Sequence, residues 1–441
     1  MAQTGLRKLA YDVVGYGLGA AINRALGIVV AGIYPIFLSR DEYGRLDVVF
    51  SLTNLLFIIF FLGLDAALAR FYYEHEDSES RRRLVSTVFL VVMGFTVTAV
   101  AVLLFFSGPL ALWLYGQTRY ILYLRLALAA MPFMMAGGVQ LVVLRLDRRV
   151  RAFNCLMTAN LVTASVIGIG SILLFKIGAA GMLAGFIAGG VVTSVAGMIL
   201  NRRILFTRAG AEGLVQLLGI GLPLVLSGAA AWFIGYVNRP ILVRHVPADD
   251  VGLYAIASGG VGMMSLLMGA FRNAWQPFAF SIMGRKESGN VYGRALTLFA
   301  AAFGAVAVCG TLFAPEALLF INAYTRKNWS GAAIAVGPLA IGTMFSAMSY
   351  VVQTGVYIAR RTGLIALTMG AATAVNIVLN FALIPRLGIL GAALATALGH
   401  LAALSGMYVM AQRVLPIPYQ LGKLAAVAAA AAARRRSNGW A

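Results

Sequence analysis

Charge is what this sequence has least of. Its 441 residues include only 15 acidic and 35 basic ones, so 11% are charged, where a soluble domain carries roughly a quarter. Hydrophobic residues make up 61%, and the mean hydropathy is +0.87. Too few polar groups exist to cover a water-facing surface, which excludes a soluble domain and leaves lipid as the surrounding medium. Cysteine is nearly absent. Cys155 and Cys309 lie inside apolar stretches with no metal or redox spacing, so buried, inert thiols are expected. The start, MAQTGLRKLAYD, lacks an apolar core followed by a small-residue cleavage site, so the first apolar segment is expected to be retained. Long polar segments are missing too. Every loop is short, and no nucleophile–base set or metal-ligand cluster is visible, which argues against a membrane enzyme such as a polymer ligase or glycosyltransferase. The net charge of +20 would suggest nucleic acid on a soluble protein. Here the basic residues sit in short loops and at helix ends, where they set orientation and meet anionic lipid.

What is present is a succession of apolar runs. A spanning helix needs about 20 apolar residues, and hydropathy places spans near 11–38, 45–70, 84–108, 120–146, 153–175 and 179–200. A second set follows near 214–243, 252–282, 294–316, 331–357, 363–384 and 389–412. The fold class is therefore all-α integral membrane with about twelve transmembrane helices. Pro35, Pro132, Pro223, Pro277 and Pro338 fall inside spans, where they free backbone carbonyls. Basic residues alternate between the two sides. Arg7, Lys8, Arg81–Arg83, Arg148, Arg149, Arg151, Arg202, Arg203, Arg208, Arg285, Lys286, Arg294, Arg360 and Arg361 share one side. Arg40, Arg45, Arg119, Lys176, Arg244, Arg326, Lys327 and Arg386 share the other. The excess is two to one, and the positive-inside rule then makes both termini cytoplasmic. The end of the chain, LAAVAAAAAA followed by Arg434–Arg436, has high helix propensity yet is too short to cross. It reads as a cytoplasmic or interfacial tail over 416–441.

The two sets of six spans resemble each other. RDEYGRLDVVFSL with Gly44 after span 1 answers ADDVGLYAIASG with Gly252 after span 7. KIGAAGMLAGFIAG before span 6 answers RLGILGAALATALG before span 12, and Gly178, Gly181 and Gly189 correspond to Gly388, Gly391 and Gly399, each 210 positions apart. LRLDRR at 144–149 answers YIARR at 357–361. Six spans is an even number, so the copies are parallel repeats about an axis along the membrane normal. They define lobes over 1–210 and 211–415. Gly181, Gly185 and Gly189, like Gly391, Ala395 and Gly399, recur every fourth residue, a spacing that lets helix backbones pack closely within each lobe.

These features resemble the polysaccharide-exporter (oligosaccharide/polysaccharide flippase) branch of the MOP superfamily, the multidrug/oligosaccharidyl-lipid/polysaccharide exporters. The resemblance covers nearly all of residues 7–412. It is carried by LSRDEYGRLD after span 1, YVNRPILVRHVPADDVGLYAIAS around spans 7 and 8, and VNIVLNFALIPRLGILGAALATALG across spans 11 and 12. It implies two six-helix lobes around a central cavity that opens alternately to each side. The implied cargo is anionic, a sugar unit on undecaprenyl pyrophosphate for O-antigen, capsule or exopolysaccharide synthesis, moved by a transporter rather than an enzyme. The implied site is the bacterial cytoplasmic (inner) membrane, with a polymerase and a chain-length regulator of the same pathway as partners besides membrane lipids, and no nucleic acid. No cofactor is expected; coupling to sodium or protons is open. Many relatives carry two further C-terminal helices, for which this sequence has no apolar runs. A peptidoglycan-precursor flippase is an alternative. So is a multidrug or cation antiporter of the same superfamily, although arginines outnumber acids within the spans here.

An ionised side chain at mid-bilayer costs roughly 2.5–3.5 kcal/mol, so it faces a cavity or a partner. Arg24 lies mid-span 1, Arg272 deep in span 8 and Arg239 in the outer part of span 7. The resemblance implies that spans 1, 2, 7 and 8 line the cavity, where these three would form a cationic field. Guanidinium suits a pyrophosphate through its planar fork of donors. Arg70 and Arg145, near inner helix ends, are further candidates, whereas Arg125 reads as a snorkelling side chain. The structural alternative for all of them is snorkelling or an Arg–Asp pair. Asp65 pairs with Arg70 or Arg24, or couples transport to an ion; His400 titrates in coupling or simply packs. Asn238, Asn273, Gln276, Gln353, Asn376 and Asn380 meet sugar hydroxyls or hold helices together, and Trp275 stacks on a sugar ring or packs.

Overall fold

Backbone groups in hydrocarbon must bond within their own segment, and among the described residues every regular element is an α-helix or a short 3-10 turn. The computed structural model describes residues 22–23, 25–74, 77–205, 210, 213–265, 267–268, 271, 275, 278–279, 282, 287–359, 361, 363–420 and 422. Contacts divide the chain into Met1–Ala229 and Ala230–Ala441. In the first unit α1 (Ala25–Phe37), α2 (Arg40–Phe60), α3 (Leu64–Glu74), α4 (Ser78–Phe105), α5 (Ser107–Tyr115), α6 (Ile121–Leu146), α7 (Val150–Phe175) and α8 (Ala179–Leu205) follow in order. Helix α9 (Leu214–Tyr236) holds this division point. The second unit continues with α10 (Asn238–His245), α11 (Ala248–Gly262), α12 (Ser288–Leu312), α13 (Ala314–Thr325), α14 (Ala333–Ile358) and α15 (Gly363–Val414).

Among the described residues nine helices are long and apolar enough to cross a bilayer. One of them, α15, holds both of the last two expected spans, and the shorter α1 and α11 stand where spans 1 and 8 were expected. Large apolar side chains point outward, among them Phe105 at 83% exposure and Leu174 at 78%. In water such a surface would aggregate; in lipid it is a seal. The two cysteines correct an expectation for the same reason. Both are exposed, because an apolar stretch in a membrane protein buries its side chains in lipid as readily as in protein.

Local chemistry accounts for the helix ends. Ser39 is extended (φ −65°, ψ 162°) and caps α2: its hydroxyl accepts the Glu42 N–H at 3.1 Å while the Glu42 carboxylate accepts the Ser39 N–H at 3.0 Å, a reciprocal capping box. The other Glu42 oxygen accepts the Ala179 N–H at 3.2 Å, so one carboxylate caps both α2 and α8. Span 2, expected as one helix, is two. Leu62 and Gly63 take positive φ of 54° and 65°, and a Cβ at Gly63 would sit 2.3 Å from the Gly221 carbonyl oxygen of α9. That close approach explains the glycine, and hydropathy cannot register a three-residue turn.

The repeat read from the sequence is a repeat of structure. Helices α5 and α13, which hydropathy missed, begin at 107 and 314, 207 positions apart. Each precedes a 3-10 turn, Thr118–Tyr120 or Ser330–Ala332, and then a long helix. Gly178 and Gly388 both have positive φ, 53° and 56°. The ends of α6 and α14 close alike, with Arg149 N–H to Leu144 O at 2.8 Å and Arg361 N–H to Val356 O at 3.1 Å. The small-residue stripes pack as expected. A Cβ at Gly185 would lie 2.2 Å from the Ala164 oxygen of α7, and one at Gly391 would lie 2.3 Å from the Leu383 oxygen. The second contact joins the two arms of α15, which fold back on each other at Gly388 (ψ −130°). Beyond α15, Ile417 is buried and bonded twice to the Gln412 amide, at 2.7 and 3.1 Å. Most of the expected tail, 423–441 together with 421, lies outside the described residues.

Candidate functional site

The second unit places one arginine deep among protein atoms. A turn at Val237 separates α9 from α10 and delivers Asn238 and Arg239 inward, 0% and 4% exposed. The Arg239 guanidinium donates to the Gly235 oxygen at 2.5 Å, to Asn238 Oδ1 at 2.9 Å and to Ser258 Oγ of α11 at 3.2 Å. It also stands over the rings of Tyr236 and Tyr254, at 4.7 and 5.1 Å from their centroids, within the range of cation–π attraction. Those three acceptors are neutral groups that orient the fork. Asn238 completes the network by donating to Tyr254 Oη at 2.7 Å and to Thr396 Oγ1 of α15 at 3.0 Å.

A second cluster in the unit gathers around Trp275. Trp275 is buried, stacks on Phe271 at 5.6 Å and donates its indole N–H to Thr354 Oγ1 of α14 at 2.9 Å. Its neighbour in the sequence of α14, Gln353, is 8% exposed. Asn376 and Asn380 are fully buried and bond across and along α15, Asn376 to the Ala395 oxygen and Asn380 to Asn376, both at 2.9 Å. For Asn238 and Asn376 the helix-joining role is thus the one the hydrogen bonds display, whereas Asn380 bonds within its own arm of α15. His400 sits half-buried in α15.

In the first unit Asp65 falls in the first turn of α3, where a carboxylate complements the helix dipole. Arg70 is exposed near the other end of α3, 5.9 Å from the Phe71 ring centroid, and Arg145 is exposed in the last turn of α6. Tyr72 of α3 donates to Asp147 just after α6, tying the two helix ends together. Arg125 reaches Ser107 of α5 at 3.0 Å. Arg24, Arg272, Asn273 and Gln276 lie outside the described residues. Beside Arg24, the Asn23 amide donates to Thr158 of α7 at 3.1 Å.

Two further networks escaped the sequence reading. Arg45, expected in an outer loop, is buried, pairs with Asp41 at 2.7 Å and lies 3.7 Å from the Tyr120 ring centroid. The i,i+4 spacing of Asp41 and Arg45 was the available signal. Asn201 of α8 joins Gln140 Oε1 at 2.9 Å to Arg149 at 3.3 Å, and nothing in the sequence brings those three together.

A family model described as "Polysaccharide biosynthesis protein" matches residues 9–283. Among solved structures, lipid II flippase MurJ in an inward closed conformation matches with a TM-score of 0.76 at 14% identity, covering 94% of this chain and 90% of that one. A multidrug resistance MATE family transporter of the MOP superfamily, inward-facing, matches at 0.73 with 17% identity, covering 95% and 98%. A MOP superfamily transporter from Pyrococcus furiosus, described as having a binding pocket of reverse polarity, matches at 0.55 with 16% identity, covering 94% and 96%. No curated protein sequence matches significantly. At these identities the solved structures establish the fold, while the family model spans well over half of the chain.

Proposed function

Because the chain belongs to the polysaccharide biosynthesis protein family, we propose that it is a transporter of the MOP superfamily that flips an undecaprenyl-pyrophosphate-linked oligosaccharide across a bacterial cytoplasmic membrane. The product would feed O-antigen, capsule or exopolysaccharide synthesis, and both termini would be cytoplasmic. The family match carries this reading. Charge supports it: a pyrophosphate headgroup needs fixed positive charge along a path through hydrocarbon, and guanidinium supplies it at any physiological pH. Arg24, Arg239 and Arg272 are the proposed headgroup contacts, with Arg70 and Arg145 as further cationic positions nearer the inner surface. Asn273, Trp275, Gln276 and Gln353 are proposed to meet the sugar. Asp65 and His400 are the candidates for coupling to sodium or protons.

In this scheme the cationic vestibule draws the headgroup and sugar from one leaflet while the polyprenyl tail stays in lipid. Closing that side and opening the other releases the cargo. Binding in the two states must differ for net direction, and consumption of the flipped sugar by a polymerase would supply the pull. A peptidoglycan-precursor flippase is the second reading, favoured by the MurJ-like fold; sustained cell-wall synthesis in a strain depleted of its own flippase would select it.

The direct test replaces Arg24 or Arg272 with Ala in an export-deficient strain. Polymer output is expected to fall at least tenfold while the protein stays in the membrane at normal levels. Normal output from both variants would defeat the assignment.

A further inference from the structure

Within the second unit, α11 with the residues just after it, α12, α13 and α14 line a cavity of about 680 Å³ formed by eighteen residues. Seventeen of the eighteen are aliphatic, aromatic, methionine or glycine residues, and the remaining one contributes only the Cys309 thiol. Such a space does not hold water, because a buried water needs two to four polar partners. Its mouth is apolar as well. Met263, Leu267 and Phe313 line it and are exposed at 46%, 53% and 65%, and Leu319 and Phe320 continue the apolar surface along the outer face of α13 at 62% and 73%. The cavity is therefore a slot continuous with the lipid-facing surface.

Its level in the membrane follows from α13. Twelve residues make about 18 Å of helix at 1.5 Å per residue, too short to cross, and Arg326 and Lys327 follow directly. Helix α13 therefore lies at the interface, with Ala314, Ala317, Leu318 and Ile321 turned to one end of the slot. From Phe313 back to Ala305 the slot runs about 12 Å along α12 at the same rise. That is close to one leaflet of a hydrocarbon core roughly 30 Å thick. An undecaprenyl chain is far longer than this slot, whereas the acyl chain of a phospholipid standing in its own leaflet matches it.

We propose that this slot is a seat for one acyl chain of a membrane phospholipid. The chain gains no hydrophobic free energy on leaving the bilayer, since lipid tails are as apolar as the slot. It gains dispersion contacts that the walls would otherwise forfeit to a void. The methionines Met263 and Met264 adapt readily to an irregular occupant. The proposal does not depend on which glycan is carried.

The test reconstitutes the full chain in phosphatidylethanolamine–phosphatidylglycerol vesicles containing a phospholipid with a diazirine midway along one acyl chain. After photolysis, adducts on peptides spanning 263–267 and 305–313 should exceed those at similarly exposed positions outside the slot, such as Leu90 and Val97, at least fivefold. Gly310→Phe and Gly260→Leu should each lower the slot adducts about fivefold. A Cβ at either glycine meets nothing within 4 Å, so both variants fill space without moving backbone. Gly94→Leu, equally open and outside the slot, should change nothing. Even labelling of all exposed apolar positions means annular lipid only and overturns the proposal. So does undiminished labelling in both filled variants, or loss of the slot adducts on adding trace undecaprenyl phosphate, which would assign the slot to a polyprenyl chain.

Discussion

Asn238 shows how much a single side chain settles in this protein. It has no exposure, yet its amide and carbonyl meet Tyr254, Thr396 and Arg239. Removing one member of a buried polar network leaves the others unsatisfied, at roughly 1–3 kcal/mol. Asn238→Leu is expected to lower the apparent unfolding temperature of the purified protein, and an unchanged melting curve would show that the network is dispensable. Arg239→Lys should lose nearly as much as Arg239→Ala, because an ammonium cannot span Gly235, Asn238 and Ser258 as a planar fork does; full stability of the lysine variant would contradict this. Hydropathy located Arg239 as an intramembrane charge but named none of its partners. Those partners lie on α9, α10 and α11, and through Asn238 the network reaches Thr396 of α15, 158 residues further on; no local pattern encodes such a meeting. Arg45 errs in the other direction: it looked like an orientation signal and is a buried half of an ion pair.

Helices are where the sequence was most legible and where its errors are most instructive. Long apolar runs announced the spans because a bilayer demands them, and the glycine stripes announced which faces would touch. Gly185→Leu is expected to destabilise by about 1–3 kcal/mol, the usual range for overpacking, because its Cβ would start 2.2 Å from the Ala164 oxygen. Gly170→Leu, in open space on the same helix pair, should leave stability unchanged. Equal thermal profiles for the two variants would refute the packing argument. Gly388 combines φ 56° with ψ −130°, a region closed to residues with a Cβ, so Gly388→Ala should cost about 1–3 kcal/mol and loosen the α15 hairpin, seen as faster proteolysis between its arms. The short helices α5 and α13 and the turn at Leu62–Gly63 were invisible to a window tuned to crossing length. They exist because a chain end must be capped or redirected within a few residues, and those choices are made by neighbours such as Gly221.

At the scale of the whole molecule, loop charge predicts a sidedness that chemistry can read directly. In a background with Cys155 and Cys309 replaced by Ser, Lys327→Cys should react with a membrane-impermeant maleimide in intact cells. Arg82→Cys should react only after permeabilisation, and the reverse pattern would invert the topology. Composition and periodicity, acting alone, determined that this chain lives in lipid, that its regular elements among the described residues are helices, and that its second half repeats its first. Those properties follow from the hydrocarbon medium, which selects for residue type averaged over whole segments. The tertiary structure decided where α9 is divided between units, which polar groups Arg239 and Asn238 satisfy, and that an acyl-sized slot opens beside α12. Each of these depends on side chains distant in sequence reaching the same few ångströms, and only the folded packing fixes which ones do.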